Sequence, residues 1–168
     1  GLILDDDSCN KLEIKKFSEQ DKDDVFNLFL IVYKKNLTEK FWKWRFYDTP
    51  FGNPVRYVMK EKGNVIGNYV VQPFLLKIKN NEQKIMYSLS VMTHPEFRGK
   101  NIFYSLANKI YKKIFKEKIK ILIGFPNQNS LKIHFQKLKW WDFGQPHEYF
   151  CDPKYYKSQK FSEFNIIK

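Results

Sequence analysis

The chain has 168 residues, 43% of them hydrophobic and 18% aromatic, which excludes a disordered chain and allows one domain with its own core. Thirty Lys and Arg oppose 18 Asp and Glu, and the net charge of +12 points to anionic partners such as a phosphorylated ligand, nucleic acid or an acidic membrane surface. Two cysteines, Cys9 and Cys151, are too few for a disulfide framework and lack metal-ligand spacing, so no metal is expected and a reducing, cytoplasmic compartment fits.

Residues 1–11 read as an acidic N-terminal tail without signal-peptide character. Leu12, Ile14 and Phe17 suggest a short first strand. Ser18 then caps a helix whose apolar stripe is Val25, Leu28, Phe29 and Val32. Thr38 and Glu39 open a second helix, carrying Phe41, Trp42, Trp44 and Phe46, and it stops before Pro50 to Pro54. The two tryptophans and Phe46, with Trp140 and Trp141, read as core or rim residues.

Val55 to Glu61 and Val65 to Lys79 flank Lys62-Gly63-Asn64, which predicts a hairpin. Pro73 marks a bulge or bend in the second strand. Asn80-Asn81 turns the chain into a strand from Gln83 to Thr93, where Ser88 and Ser90 share one face as substrate-binding or solvent-facing residues. The next helix has two apolar rows, Ile102, Leu106, Ile110, Ile114 and Phe103, Ala107, Tyr111, Phe115. Its lysines, Lys109, Lys112, Lys113 and Lys116, continue to Lys118 and Lys120 as a solvated face. Ile119 to Phe125 reads as a buried strand, Asn129-Ser130 as the cap of a helix from Leu131 to Leu138, and Trp140 to Phe150 with Tyr155-Tyr156 as closing strands. No run of about 18 apolar residues exists to span a membrane. Strands and helices in this order give an α/β class with a mixed sheet.

The most informative segment is Val91 to Phe103, a strand, then a basic turn, then the first turn of a helix. Free N–H groups at a helix start, the helix dipole, Arg98 and Lys100 together make an anion site. Gly99 lets backbone approach a ligand, and Asn101 tolerates a left-handed conformation. His94 leads into the Pro95 turn.

This segment resembles the acyl-CoA-binding segment of the GNAT acetyltransferase superfamily, strand followed by Arg/Gln-x-x-Gly-x-Gly/Ala. Arg98 fits the first position, while Asn101 and Phe103 replace small residues. Gly124 to Ser130 followed by Phe135-Gln136-Lys137-Leu138-Lys139-Trp140 resembles the family's next strand and helix, which commonly ends in Tyr-x-Lys-Leu-Gly-Phe. The resemblance is clear from Tyr87 to Trp141. It implies a mixed, mostly antiparallel central sheet flanked by helices on both faces, over residues 12–150, with 151–168 as a C-terminal extension. The sheet is implied to splay and admit the pantetheine arm of acetyl-CoA, the acyl donor.

The resemblance further implies that Val91, Met92 and Thr93 offer backbone groups to pantetheine. Arg98, Gly99, Lys100, Asn101, Ile102 and Phe103 would hold the pyrophosphate. Asn127, Asn129 and Ser130 read as turn and cap, with a polar contact to CoA as the functional reading. Acyl transfer to an amine needs a neutral amine, a donor for the oxyanion and a proton for the thiolate. Phe135 stands where the family has its acidic Tyr, and the neighbouring His134 is the candidate acid or base. The expected activity is acetyl transfer from acetyl-CoA to a small amine such as an amino sugar. The alternative is a non-catalytic module of the same shape that binds CoA or an anionic macromolecule. The chain has no zinc finger, helix-turn-helix or Gly-x-Ser-x-Gly pattern, which argues against a nucleic-acid role and a serine hydrolase.

Overall fold

The computed structural model describes residues 12–142 and Gly144. Five strands form one sheet in the order β1 (Glu13–Lys16), β2 (Val55–Glu61), β3 (Asn64–Ile78), β4 (Asn81–Thr93), β5 (Leu122–Ile123). The first four are antiparallel in sequence order, and β5 joins β4 in parallel. The mixed sheet expected from the sequence is present.

Helices cover both faces. On one, α1 (Lys22–Tyr33) and α2 (Glu39–Phe46) bury Val25, Leu28, Trp42 and Phe46 against Val58, Val70, Leu89 and Met92. On the other, α3 (Ile102–Lys116) lays Ile102, Phe103, Leu106, Ala107, Ile110 and Ile114 on Met59, Tyr69, Val71 and Met86. The second apolar row of α3 stops short of its predicted end, because Phe115 is 78% exposed. A row spaced every four residues drifts around a helix of 3.6 residues per turn, which carries Phe115 off the sheet-facing side. The lysines of α3 and the following turn are exposed, as read from the sequence.

The caps of the first two helices and the hairpin turn follow the sequence with one change. Ser18 opens a single 3-10 turn, Glu19–Asp21, by a capping box with Asp21, and α1 begins after it. Thr38 caps α2 by accepting from Phe41 N at 3.2 Å. The β2–β3 turn is Lys62-Gly63, both left-handed at φ 49° and 85°, as a tight hairpin requires.

Pro73 sits in register opposite Met86 and makes no bulge. Met86 N–H donates outward to Ile121 O, so the Met86–Pro73 pair exchanges no bonds, and β2 ends at Val55 before reaching Pro73. A missing N–H is harmless there. The bulge lies instead on β4 between Leu89 and Met92, which pair with Val70 and Asn68. Ser90 is the extra residue, at φ 43°, so Leu89 and Met92 face the same helices although three apart. The expected buried strand over 119–125 contracts to Leu122–Ile123, half-buried at the sheet edge. Trp140 to Asp142 form no strand, and the remaining closing segment, the tail and both cysteines lie outside the described residues.

Arg56 on β2 is the one Lys or Arg side chain buried among the described residues. Its guanidinium lies 4.0 Å over Trp42, 4.1 Å over Phe46 and 4.7 Å over Phe17.

Candidate active site

Strands β4 and β5 pair only at Met86–Leu122 and Tyr87–Ile123, and then separate. The gap between them is a cleft of about 700 Å³. Its walls are Ser88 to Val91 and Thr93 of β4, parts of the turn between Phe97 and Asn101, the start of α3, and parts of the segment between Phe125 and Lys137. Gly124 permits the close approach at the point of parting, since a Cβ there would lie 2.9 Å from Ser88 Cβ and 3.2 Å from the Trp140 ring.

Backbone direction decides which β4 groups reach the cleft. His94 N–H donates to Ile66 O at 2.8 Å, toward β3. Directions alternate along a strand, so Met92 also faces β3, while Val91 and Thr93 turn their amides and carbonyls to the cleft. Val91 O accepts from Tyr33 Oη at 3.4 Å. Met92 turns the other way: its backbone pairs with Asn68 and its side chain is buried on the α1 side.

The mouth of the cleft is the turn before α3. A short 3-10 turn, Pro95–Phe97, is capped by His94, whose Nδ1 accepts from Glu96 N at 3.3 Å. Gly99 and Asn101 are left-handed, at φ 83° and 58°. Ser105 N is the first amide to find a helical acceptor, Asn101 O, so the amides of Ile102, Phe103 and Tyr104 have no intrahelical partner. No acid stands in this first turn. Asn101 does not cap the helix with its side chain but accepts from Lys137 Nζ at 2.6 Å. Arg98, Gly99, Asn101 and Ile102 line this end. Lys100 does not; its ammonium rests 4.7 Å over the Phe97 ring. Phe103 also lines the cleft, with its ring buried 5.5 Å from Tyr69 and 5.1 Å from His134.

The opposite wall is α4 (Gln128–Lys132), continued by one wide π turn over Ile133–Lys137. Its cap is Asn127, whose Oδ1 accepts from Ser130 N and Oγ, both at 3.1 Å; the sequence had placed the cap two residues later. Asn127, Asn129, Ser130, Ile133, His134 and Lys137 line the cleft.

His134 is only 3% exposed. Its Nδ1–H donates to Ser130 O at 2.8 Å, which leaves the lone pair on Nε2. Burial pushes its pKa below the ordinary imidazole value, against a smaller opposing effect of the Ser130 carbonyl, so the ring is neutral at pH 7. Such a ring accepts protons better than it donates them. Phe135 is outside the lining and has no hydroxyl. The cleft instead gathers Tyr33, Ser88 and Tyr104. Tyr33 reaches it from α1 across 58 positions of sequence, a separation no local pattern signals. Among the described residues the lining holds Arg98, Lys137 and His134 but no carboxylate.

A family model described as an acetyltransferase (GNAT) domain matches residues 13–135. The chain belongs to the GNAT acetyltransferase family. Solved structures share the fold of this acetyltransferase. Glucosamine-6-phosphate N-acetyltransferase of Arabidopsis thaliana aligns with a TM-score of 0.64 at 16% identity, covering 84% of this chain and 99% of that one. The aminoglycoside 6'-N-acetyltransferase AAC(6')-Ih of Acinetobacter baumannii aligns at 0.65 and 10%, with the same coverage. The enzyme AAC(6')-Iy, solved with a CoA bisubstrate analogue, aligns at 0.69 and 10%, again covering 84% and 99%. No curated protein matches the sequence significantly. No helix among the described residues of the acetyltransferase is long and apolar enough to cross a membrane.

Proposed function

We propose that the protein, through a catalytic domain over residues 12–150, transfers an acetyl group from acetyl-CoA to the amine of a small molecule such as an amino sugar, in the cytoplasm. The observation that carries this reading is the parting of β4 from β5 beside the uncapped start of α3. An extended arm bearing amides suits the cleft-facing backbone of Val91 and Thr93, and a pyrophosphate suits the amides of α3 with Arg98 and Gly99. Asn127, Asn129 and Ser130 supply polar contacts from the facing wall, and Lys137 adds charge.

The chemistry needs no covalent enzyme intermediate. The amine nitrogen attacks the thioester carbonyl, the C–N bond forms, and the C–S bond breaks with its electron pair on sulfur. Orientation within the cleft and donors to the oxyanion lower the barrier. Neutral His134 takes the proton that the nitrogen sheds. The absence of a carboxylate among the described lining residues favours an amine of low positive charge over a polycationic antibiotic.

One observation favours a second reading, a CoA-binding module without turnover: Phe135 lacks the hydroxyl of the family's usual acid. Calorimetry with acetyl-CoA and CoA, followed by assay of thiol release with glucosamine 6-phosphate and other amines, separates the cases. Binding with release supports the enzyme, and binding without release across the panel favours the module. Absence of binding at millimolar ligand overturns both.

A further inference from the structure

A buried row of hydroxyls runs beneath the cleft floor. Trp140 Nε1–H donates to Tyr111 Oη at 2.9 Å. The Tyr69 and Tyr111 rings meet edge to face, with centroids 6.4 Å apart. Tyr69 Oη and Ser88 Oγ share a hydrogen bond of 2.9 Å. Ser88 lines the cleft at the point where β4 leaves β5.

An indole N–H can only donate. Trp140 therefore occupies a lone pair of Tyr111 and leaves the Tyr111 proton free to turn toward Tyr69. With Tyr69 as the donor of the Tyr69–Ser88 bond, the protons run in one sense toward the cleft. The Ser88 oxygen is then an acceptor on its inner side, and its own proton is directed into the cleft. Successive hydrogen bonds of one sense polarise one another, which strengthens the last donor. Burial raises the pKa of both tyrosines, so the row keeps its protons across the physiological range.

We propose that Ser88 is a catalytic hydrogen-bond donor to the thioester sulfur, held in that sense by the row from Trp140 through Tyr111 and Tyr69. The inference rests on the acetyltransferase reading above. An arm that enters at α3 and follows Thr93 and Val91 inward brings its sulfur toward Ser88. When the C–S bond breaks, the sulfur holds the electron pair as a thiolate and Ser88 Oγ–H donates to it. No proton leaves Ser88. His134 takes the proton shed by nitrogen and releases it to solvent, and the thiolate takes one proton from solvent as CoA departs. The hydroxyl absent from Phe135 is thereby replaced from the opposite wall.

Free CoA carries the same thiol, so the test needs no knowledge of the acceptor. The thiolate absorption of bound CoA is titrated against pH in the wild-type chain, in Ser88→Ala and in Tyr69→Phe. The wild type is expected to hold more thiolate at neutral pH than free CoA. Ser88→Ala should lower the bound thiolate-to-thiol ratio about tenfold or more, as loss of a hydrogen bond to a charged group does. Affinity at acid pH, where the thiol is neutral, should be unchanged. Tyr69→Phe should fall between the two. Identical titrations for wild type and Ser88→Ala overturn the role of Ser88 and leave the acetyltransferase reading standing. A Tyr69→Phe titration equal to wild type overturns the orienting row. Failure of wild type to bind CoA overturns the reading and the inference together.

Discussion

Gly67 on β3 faces Ile102 at the first turn of α3 so closely that a Cβ at position 67 would lie 2.5 Å from Ile102 Cγ2, 3.2 Å from Leu106 Cδ1 and 3.3 Å from Met59 Cβ. The contact seats the start of α3, with its unpaired amides, against the sheet. Gly-to-Ala changes often stabilise by about 0.4–1 kcal/mol through the unfolded state. Overpacking at this distance costs about 1–3 kcal/mol and outweighs that gain. Gly67→Ala should therefore lower stability in urea unfolding by about 1–2 kcal/mol and weaken CoA binding, because Ile102 must move. A variant as stable as wild type would show that α3 can shift without cost.

Arg98 is exposed and makes no ion pair among the described residues. Its removal should leave stability within about 0.5 kcal/mol, as for most surface positions. Loss of a charged contact to phosphate should weaken CoA binding about tenfold, and the difference should shrink at high salt. Calorimetry at two salt concentrations checks both parts. Unchanged affinity removes Arg98 from the site.

Much of this was legible in the sequence, for physical reasons. The rows of α3 and the hairpin at Lys62-Gly63 are local patterns whose periodicity or turn chemistry suffices. The turn from Arg98 to Phe103 carries its anion chemistry in adjacent residues. Legibility ended where distant segments decide. The bulge at Ser90 shifts Met92 from the cleft to the α1 core, and an alternation rule applied to an unbroken strand cannot show that. Strand β5 shortens because β4 leaves it, an effect of sheet shape. No local pattern shows the burial of His134, because the π turn and Lys139, left-handed at φ 57°, bring Trp140 against it at 4.7 Å.

His134 gives a pH prediction with a definite sign. Its folded pKa lies below the unfolded imidazole value of about 6.5. Both states are neutral above that value, so its contribution to stability is fully present there. As pH falls through about 6.5 the unfolded state takes up a proton first, and stability is lost down to the folded pKa. His134→Phe should flatten this part of the stability profile between pH 7 and 5. It should also lower kcat while leaving CoA affinity nearly unchanged, since no proton acceptor remains on Nε2. An unchanged kcat would retire His134 as the base while leaving its packing role intact.

Arg56 supplies the last prediction. It is 5% exposed, and burial pushes its pKa down to about 9, against smaller opposing effects of Tyr47 and Glu19. It is therefore charged at pH 7. Its Nε and Nη2 have no hydrogen-bond partner among the described residues, so desolvation is offset by the faces of Trp42, Phe46 and Phe17. Desolvated cation–π contacts contribute about 2 kcal/mol or more, whereas burying a charge costs several. The cost should win narrowly. Arg56→Met keeps the aliphatic stem between the rings and removes the charge, so its stability at pH 7 should equal or exceed that of wild type. Arg56→Ala leaves a cavity beside Trp42 and should lose about 2–4 kcal/mol. Urea unfolding of the pair separates charge from packing. A loss of about 3 kcal/mol in the Met variant would mean that stacking on the three rings outweighs the burial of the guanidinium.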